Sequence, residues 1–196
     1  DWCFAFCVNL IEAPSIPDSV KSMRSCFYDC KSLKKAPALP SDVLCIDYCF
    51  QRCENMIEAS NIPKGLVSVE GCFSGCTKAP TIPEGVLYMG QCFTECESLE
   101  KAPIIPSSVV TIKNCFAFCH RLKETPVIPN SVKNMDNCFY GCKNLQKVVN
   151  IPQEVNTMQR CFYECKNLVE VPSVPQELDN MEDCFYGCSN LVYGED

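Results

Sequence analysis

The stretch Cys26-Phe-Tyr-Asp-Cys30-Lys-Ser-Leu33-Lys-Lys-Ala-Pro37-Ala-Leu39-Pro40-Ser-Asp-Val43-Leu-Cys-Ile46-Asp-Tyr48 holds one example of every position from which the chain is built. Its opening Cys-Phe-x-x-Cys returns with first cysteines at Cys3, Cys26, Cys49, Cys72, Cys92, Cys115, Cys138, Cys161 and Cys184. Seven of the eight steps are 23 residues, and one, Cys72 to Cys92, is 20. Three residues after the second cysteine stands an apolar anchor: Leu10, Leu33, Met56, Leu99, Leu122, Leu145, Leu168 or Leu191. An aliphatic residue followed by proline comes next (Ile16, Leu39, Ile62, Ile105, Ile128, Ile151, Val174), then a pair three apart such as Val43 with Ile46. Stacking identical units superimposes each apolar column on itself and buries a core that no single unit could bury. The period therefore predicts a solenoid of nine units.

Composition sets the surroundings. With 196 residues, 47% hydrophobic and 21% charged, the chain can bury a core and lacks the makeup of a disordered segment. Its apolar runs, such as Val109 to Ile112, fall far short of the roughly 20 residues a membrane span needs, so no membrane insertion is expected of this segment. A formal charge of -7 and a pI near 4.8 oppose phosphate-backbone binding, which rewards Lys and Arg, so nucleic acid is not an expected partner.

The repeating unit resembles the BspA-like, or Treponema pallidum-type, leucine-rich repeat, whose pattern runs Leu-x-x-Ile-x-Ile-Pro-x-x-Val-x-x-Ile and then Ala-Phe-x-x-Cys. Cysteine here replaces the alanine before phenylalanine and keeps a small side chain there. One more residue before the Ile-Pro step and one fewer before Cys-Phe shift the register. The resemblance covers essentially the whole chain. It implies an α/β solenoid, a right-handed leucine-rich-repeat coil of about 23 residues per turn, with short parallel strands on one face and short helical turns or loops on the other. It places the concave-face strand over Leu33 to Leu39. Pro37 and its counterparts Pro14, Pro80, Pro103, Pro126 and Pro172 lack an N–H, so the sheet should be short. Val43-x-x-Ile46 running into Cys-Phe-x-x-Cys has helical spacing and predicts a turn of helix opposite. At about 4.8 Å per coil, nine coils make a body on the order of 40 Å long. The expected organisation is a single solenoid domain over 1–196, with a short repeat at 72–91, forming a segment of a longer protein.

Nineteen cysteines are the compositional outlier, and 18 of them lie in the motifs, with Cys45 outside. Metal ligation would use Cys-x-x-x-Cys thiolates, but known sites combine two such pairs with polar second shells, whereas this motif recurs evenly in an apolar column. Disulfides between neighbouring coils stay geometrically open, although an odd ladder leaves one partner over. Buried free thiols, acting as small hydrophobes, are favoured. No metal site and no cofactor are expected. The single histidine, His120, follows Cys119, but adjacent residues on a helical turn diverge by about 100°, so the pair reads as a solvated histidine beside a core thiol and not as a dyad. No Ser-His-Asp set, phosphate loop or acid pair appears, so no catalytic residue is assigned and an enzyme is not expected.

Two columns vary informatively. Two residues after the anchor the charge reads Glu12, Lys35, Glu58, then Lys101, Glu124, Lys147, Glu170, so in-register stacking sets opposite signs side by side. Just before the Ile-Pro step stand Ser15, Ala38, Asn61, Thr81, Ile104, Val127, Asn150 and Ser173. Variation inside a fixed frame marks an outward position, and Ile104 with Val127 would give it an apolar centre suited to protein contact. This column is the candidate partner-binding site. Tyr140, Tyr163 and Tyr186 form another column, read as stacking between coils. The short unit has lost its anchor, which should notch the stack between Asn61 and Ile104. The resemblance implies a non-catalytic, adhesin-like module of a bacterial cell-surface or secreted protein that binds host or matrix protein. A structural spacer and a cysteine-based metal or redox array are the alternatives.

Overall fold

The computed structural model describes residues 1–192, so the last positions of the 1–196 span, 193–196, lie outside the described residues. Successive coils are joined in two parallel, in-register ladders of single-residue bridges. One links Glu12 to Lys35 to Glu58 and, further along, Glu124 to Lys147 to Glu170. The other joins Ser22 to Cys45 and runs unbroken from Ser68 through Tyr88, Thr111, Asn134 and Thr157 to Asn180. The first ladder is one residue deep because the proline column follows two residues later and offers no donor.

The expected helical turn is absent: no α-helix occurs among the described residues. The residue before each cysteine of the motif is left-handed, as at Ser25 (φ 53°) and Asp29 (φ 58°) or Asn114 (φ 55°) and Phe118 (φ 60°). Two such residues four apart cannot belong to a right-handed helix. The chain makes consecutive turns instead. Cys26, Tyr28 and Cys30 donate their N–H groups to carbonyls three residues back at 3.0, 3.2 and 3.2 Å. Between them, Ser25, Phe27 and Asp29 donate to Asp47, Cys49 and Gln51 of the next coil at 3.0, 2.9 and 2.8 Å. Alternate amides thus hold the turn and the neighbour, which leaves few backbone donors orphaned. Apolar spacing of three and four residues belongs to this double turn as well as to a helix.

Inside, the Phe side chains stack from Phe4 to Phe185 with ring centroids 5.2–6.1 Å apart. Both cysteine columns and the Leu and Val columns complete one contiguous core around them. From Cys30 onward the second cysteine of each motif reaches back and donates its S–H to the Phe carbonyl of the preceding coil. Examples are Cys53 to Phe27 at 3.2 Å, Cys119 to Phe93 at 3.2 Å and Cys165 to Phe139 at 3.1 Å.

Exceptions to the consensus are compensated locally. Where Val149 stands in place of the proline, its freed N–H needs an acceptor, and the preceding coil carries Thr125 in place of alanine to supply it. The Thr125 hydroxyl, buried, accepts that N–H at 2.9 Å. Where Ser60 replaces the proline, its hydroxyl donates to the Pro37 carbonyl.

The short coil disturbs one side only. The second ladder and the Phe stack cross it, with Phe73 and Phe93 at 6.1 Å. The first ladder stops at Glu58 and resumes at Glu124. In the gap lies a cleft of about 400 Å³ lined by Arg52, Glu54, Thr77, Glu95, Glu97 and Ser98, among others. Thr77 Oγ1 donates to the Met56 carbonyl at 2.7 Å across the lost anchor.

Candidate interaction surface

The column before the Ile-Pro step leaves the core in all coils but that of Asn150, between residues that turn inward, such as Thr125 two positions before Val127 and Ile128 directly after it. Ser15, Ala38, Asn61, Thr81, Ile104, Val127 and Ser173 are exposed. Ile104 reaches 84% and Val127 68%, high values for aliphatic side chains. Asn150 departs from the expectation. It is half-buried, and its amide clips the neighbouring coil, accepting from the Ile128 N–H at 2.9 Å and donating to the Ile128 carbonyl at 2.8 Å. The structure places Ser15 and Ala38 along one apolar groove with Ile11, Ala13 and Pro14, and Ala38 and Asn61 along the next.

The alternating charges meet in register, through bridges Glu12–Lys35, Lys35–Glu58, Glu124–Lys147 and Lys147–Glu170. Lys35 and Glu58 close an ion pair at 2.9 Å, and hydrogen bonding to that carboxylate raises the Lys35 pKa. The tyrosine column stacks ring on ring, at 4.8 Å for Tyr140–Tyr163 and 4.9 Å for Tyr163–Tyr186.

A second outward column escapes a reading that follows only the buried positions. Next to the inward Val43, Leu66, Val86 and Val109 stand Leu44, Val67, Leu87 and Val110, in four successive coils. Leu44 is 71% and Val67 50% exposed, while Leu87 and Val110 are half-buried. At either end the same column holds lysine, and each lysine pairs with an acid of the following coil: Lys21 with Asp42 and Lys133 with Glu154. The signal in the sequence is the switch of this column from Lys to aliphatic and back to Lys.

The sequence pattern of the BspA type leucine rich repeat region, described as six copies, matches residues 1–123, 44–168 and 111–193. The chain belongs to that family. Among curated proteins, no relative matches it in sequence. Solved structures resemble it over most of its length. A leucine-rich repeat protein of T. pallidum is 27% identical, covering 92% of this chain and 77% of its own, with a TM-score of 0.59. One from Bacteroides ovatus is 23% identical, covering 95% of this chain and 66% of its own, with a TM-score of 0.57. One from Eubacterium ventriosum is 22% identical, covering 95% and 48%, with a TM-score of 0.64. The chain thus spans less than two thirds of the Bacteroides chain and about half of the Eubacterium one, and these two likenesses speak to the fold.

In this BspA-type array the thiols are free. Burial pushes the thiol of Cys30 up to about 11 and that of Cys142 up to about 12. A thiol that donates to a carbonyl is protonated, whereas a metal ligand must be a thiolate. Among the described residues no group of three or more His, Cys, Asp or Glu is placed to hold a metal ion. His120 is half-buried rather than solvated: its Nδ1 lies 3.0 Å from the Gly141 carbonyl, so it is the Nδ1 that carries the proton, and the ring meets the edge of Phe118 at 6.2 Å. Cys119 turns inward beside it. No helix among the described residues is long and apolar enough to cross a membrane. At pH 8 a maleimide is expected to label exposed Cys3 and Cys7 quickly, half-buried Cys45 and Cys188 more slowly, and the rest only after unfolding. Mass spectrometry of the native protein that finds rapid labelling of Cys92, Cys115 or Cys138 would contradict this packing.

Proposed function

We propose that the chain is a non-catalytic, adhesin-like protein-binding module of a bacterial cell-surface or secreted protein, and that its partner is a host or matrix protein. It acts as one leucine-rich-repeat solenoid of nine units over 1–196, part of a longer protein. Ser15, Ala38, Asn61, Thr81, Ile104, Val127, Asn150 and Ser173 form the recognition column, with Asn150 contributing through the backbone it fixes. The observation that carries this reading is the exposure of Ile104 and Val127 directly beside the buried Ile105 and Ile128. An exposed aliphatic pair in a column that also holds the polar Asn61, Thr81 and Ser173 supplies the apolar centre and polar rim of a protein interface. The alternating Glu and Lys ladder beside it is locally neutral, which disfavours a polyanion as ligand. Family membership supports a surface location.

The test is capture of extracellular-matrix proteins by the immobilised chain, compared with the variant Ile104→Glu/Val127→Glu. Placing two charges at the centre of the contact is expected to weaken binding at least about a hundredfold, while both side chains, being exposed, leave the thermal midpoint unchanged. Capture that survives both substitutions moves the site to another face. No capture of any matrix protein favours a spacer.

A further inference from the structure

The strip Leu44–Val67–Leu87–Val110 lies on a different face from the recognition column, and its surroundings change with it. Two positions before the strip residue, the neighbouring coils carry Asp42, Ser108 and Ser131, but the two central coils carry Gly65 and Gly85. Both glycines have φ +97°, a conformation that requires glycine, and a Cβ built on either meets nothing within 4 Å. A side-chain-free lane therefore runs beside Val67 and Leu87. One position earlier, the central coils carry exposed Lys64 and Glu84. The Glu84 carboxylate is held in place by the N–H and hydroxyl of Ser107 at 3.2 and 3.1 Å.

These columns read nearly the same in both directions about the midpoint between the coils of Val67 and Leu87. The strip runs Lys21, Leu44, Val67, Leu87, Val110, Lys133, and the column beside it places Gly65 and Gly85 symmetrically about the centre. We propose that this face binds the same face of a second copy, antiparallel, about a two-fold axis between Val67 and Leu87. In that arrangement each aliphatic contact of the strip sets a leucine against a valine, Leu44 on Val110 and Val67 on Leu87 of the second copy and the reverse, while at the ends Lys21 faces Lys133 of the second copy, each already paired with an acid of its own chain, Asp42 and Glu154. Gly65 faces Gly85 of the second copy, which lets the two backbones approach. Lys64 faces Glu84 of the second copy, and Glu84 faces its Lys64, so two ion pairs straddle the axis. A parallel pairing, about an axis along the strip, would carry the Lys64 and Glu84 column to the far side and form neither ion pair. Isologous contacts of this kind close as a dimer and do not propagate. These three columns over six coils give about eighteen positions per copy, near the roughly 20–30 of a standard interface. The second ladder runs from Ser68 through Tyr88 to Thr111 and so continues across the short coil beside this face.

Sedimentation equilibrium on the chain is expected to show the mass rising from 22.0 kDa towards twice that value with concentration. Leu87→Asp is expected to weaken association at least about tenfold. Exposed charges give the test that does not depend on packing: Lys64→Glu alone and Glu84→Lys alone are each expected to stay monomeric, and an equimolar mixture of the two is expected to dimerise. A chain monomeric at every concentration overturns the proposal, as does a dimer unaffected by Leu87→Asp. Single charge variants that dimerise as well as the unsubstituted chain overturn the antiparallel pairing. If the monomeric chain takes up an apolar peptide on this strip, the occupant is a different protein and the self-pairing is wrong.

Discussion

Phe116→Ala is expected to lower the unfolding free energy by about 3–5 kcal/mol, the cost of removing a large aromatic from a packed core. Phe116 is fully buried and stacks on Phe93 at 5.7 Å and on Phe139 at 5.5 Å, so truncation opens a void and removes two aromatic contacts at once. Each such contact contributes about 0.5–1.5 kcal/mol beyond burial. Position along the array matters too. In a repeat protein stability is carried by each unit and by its interfaces with two neighbours, so a lesion at the centre weakens coupling between the two halves. The same change at half-buried Phe185 is expected to cost less. Urea unfolding followed by circular dichroism measures both. A broadened or two-step transition for Phe116→Ala, against a single step for the parent, would show the halves coming apart. A loss below about 1 kcal/mol would mean that the Phe column does not carry the stack.

Thr125→Ala restores the repeat consensus and is nevertheless expected to destabilise by about 0.5–1.5 kcal/mol, because the hydrogen bond from the Val149 N–H to the buried Thr125 hydroxyl is lost. The bond lost is the one of 2.9 Å from the Val149 N–H to the Thr125 hydroxyl. Adding Val149→Pro removes that donor altogether and fits a position that prolines occupy in most other coils. The double variant is expected to recover most of the loss, so the two changes are strongly non-additive when measured by chemical unfolding. Equal and additive losses would show that the two side chains do not interact.

The sequence carries the axial direction of this fold plainly and the path within a coil poorly. The 23-residue step, the buried Phe and Leu columns, the short sheet and the in-register charges can all be read from residues, because each is a matter of which side chains coincide when copies are stacked. The helical turn is misread because Val43-x-x-Ile46 and Cys49-x-x-x-Cys53 space their apolar side chains identically in a helix and in a double turn. What separates the two is φ at the residue before each cysteine. Gly75, Gly141 and Gly187 in one of these columns, with Gly71, Asn114 and Asn137 in the other, are the cue, diluted by Asp29, Arg52, Glu95 and Phe118 in the same places. The outward character of Ile104 and Val127 is legible from variation within a fixed frame. The folding back of Asn150 is not, since it depends on one amide finding the backbone of the coil before it. Leu44 and Val67 escape because aliphatic residues beside a buried aliphatic column look like core until the direction of each side chain is known.

The bonds between coils also have a sense. Backbone N–H groups of Ser25, Phe27 and Asp29 reach forward along the axis, while the thiols of Cys53 and Cys76 reach back to the phenylalanine carbonyls of the coil before. A unit therefore presents on each side the counterpart of what it requires on the other. An in-frame duplication of 23 residues would insert a coil whose donors and acceptors are already met. Copy number in such a gene can drift by recombination without any new contact having to be invented, and the reach of the protein becomes a trait that a lineage can adjust in single steps.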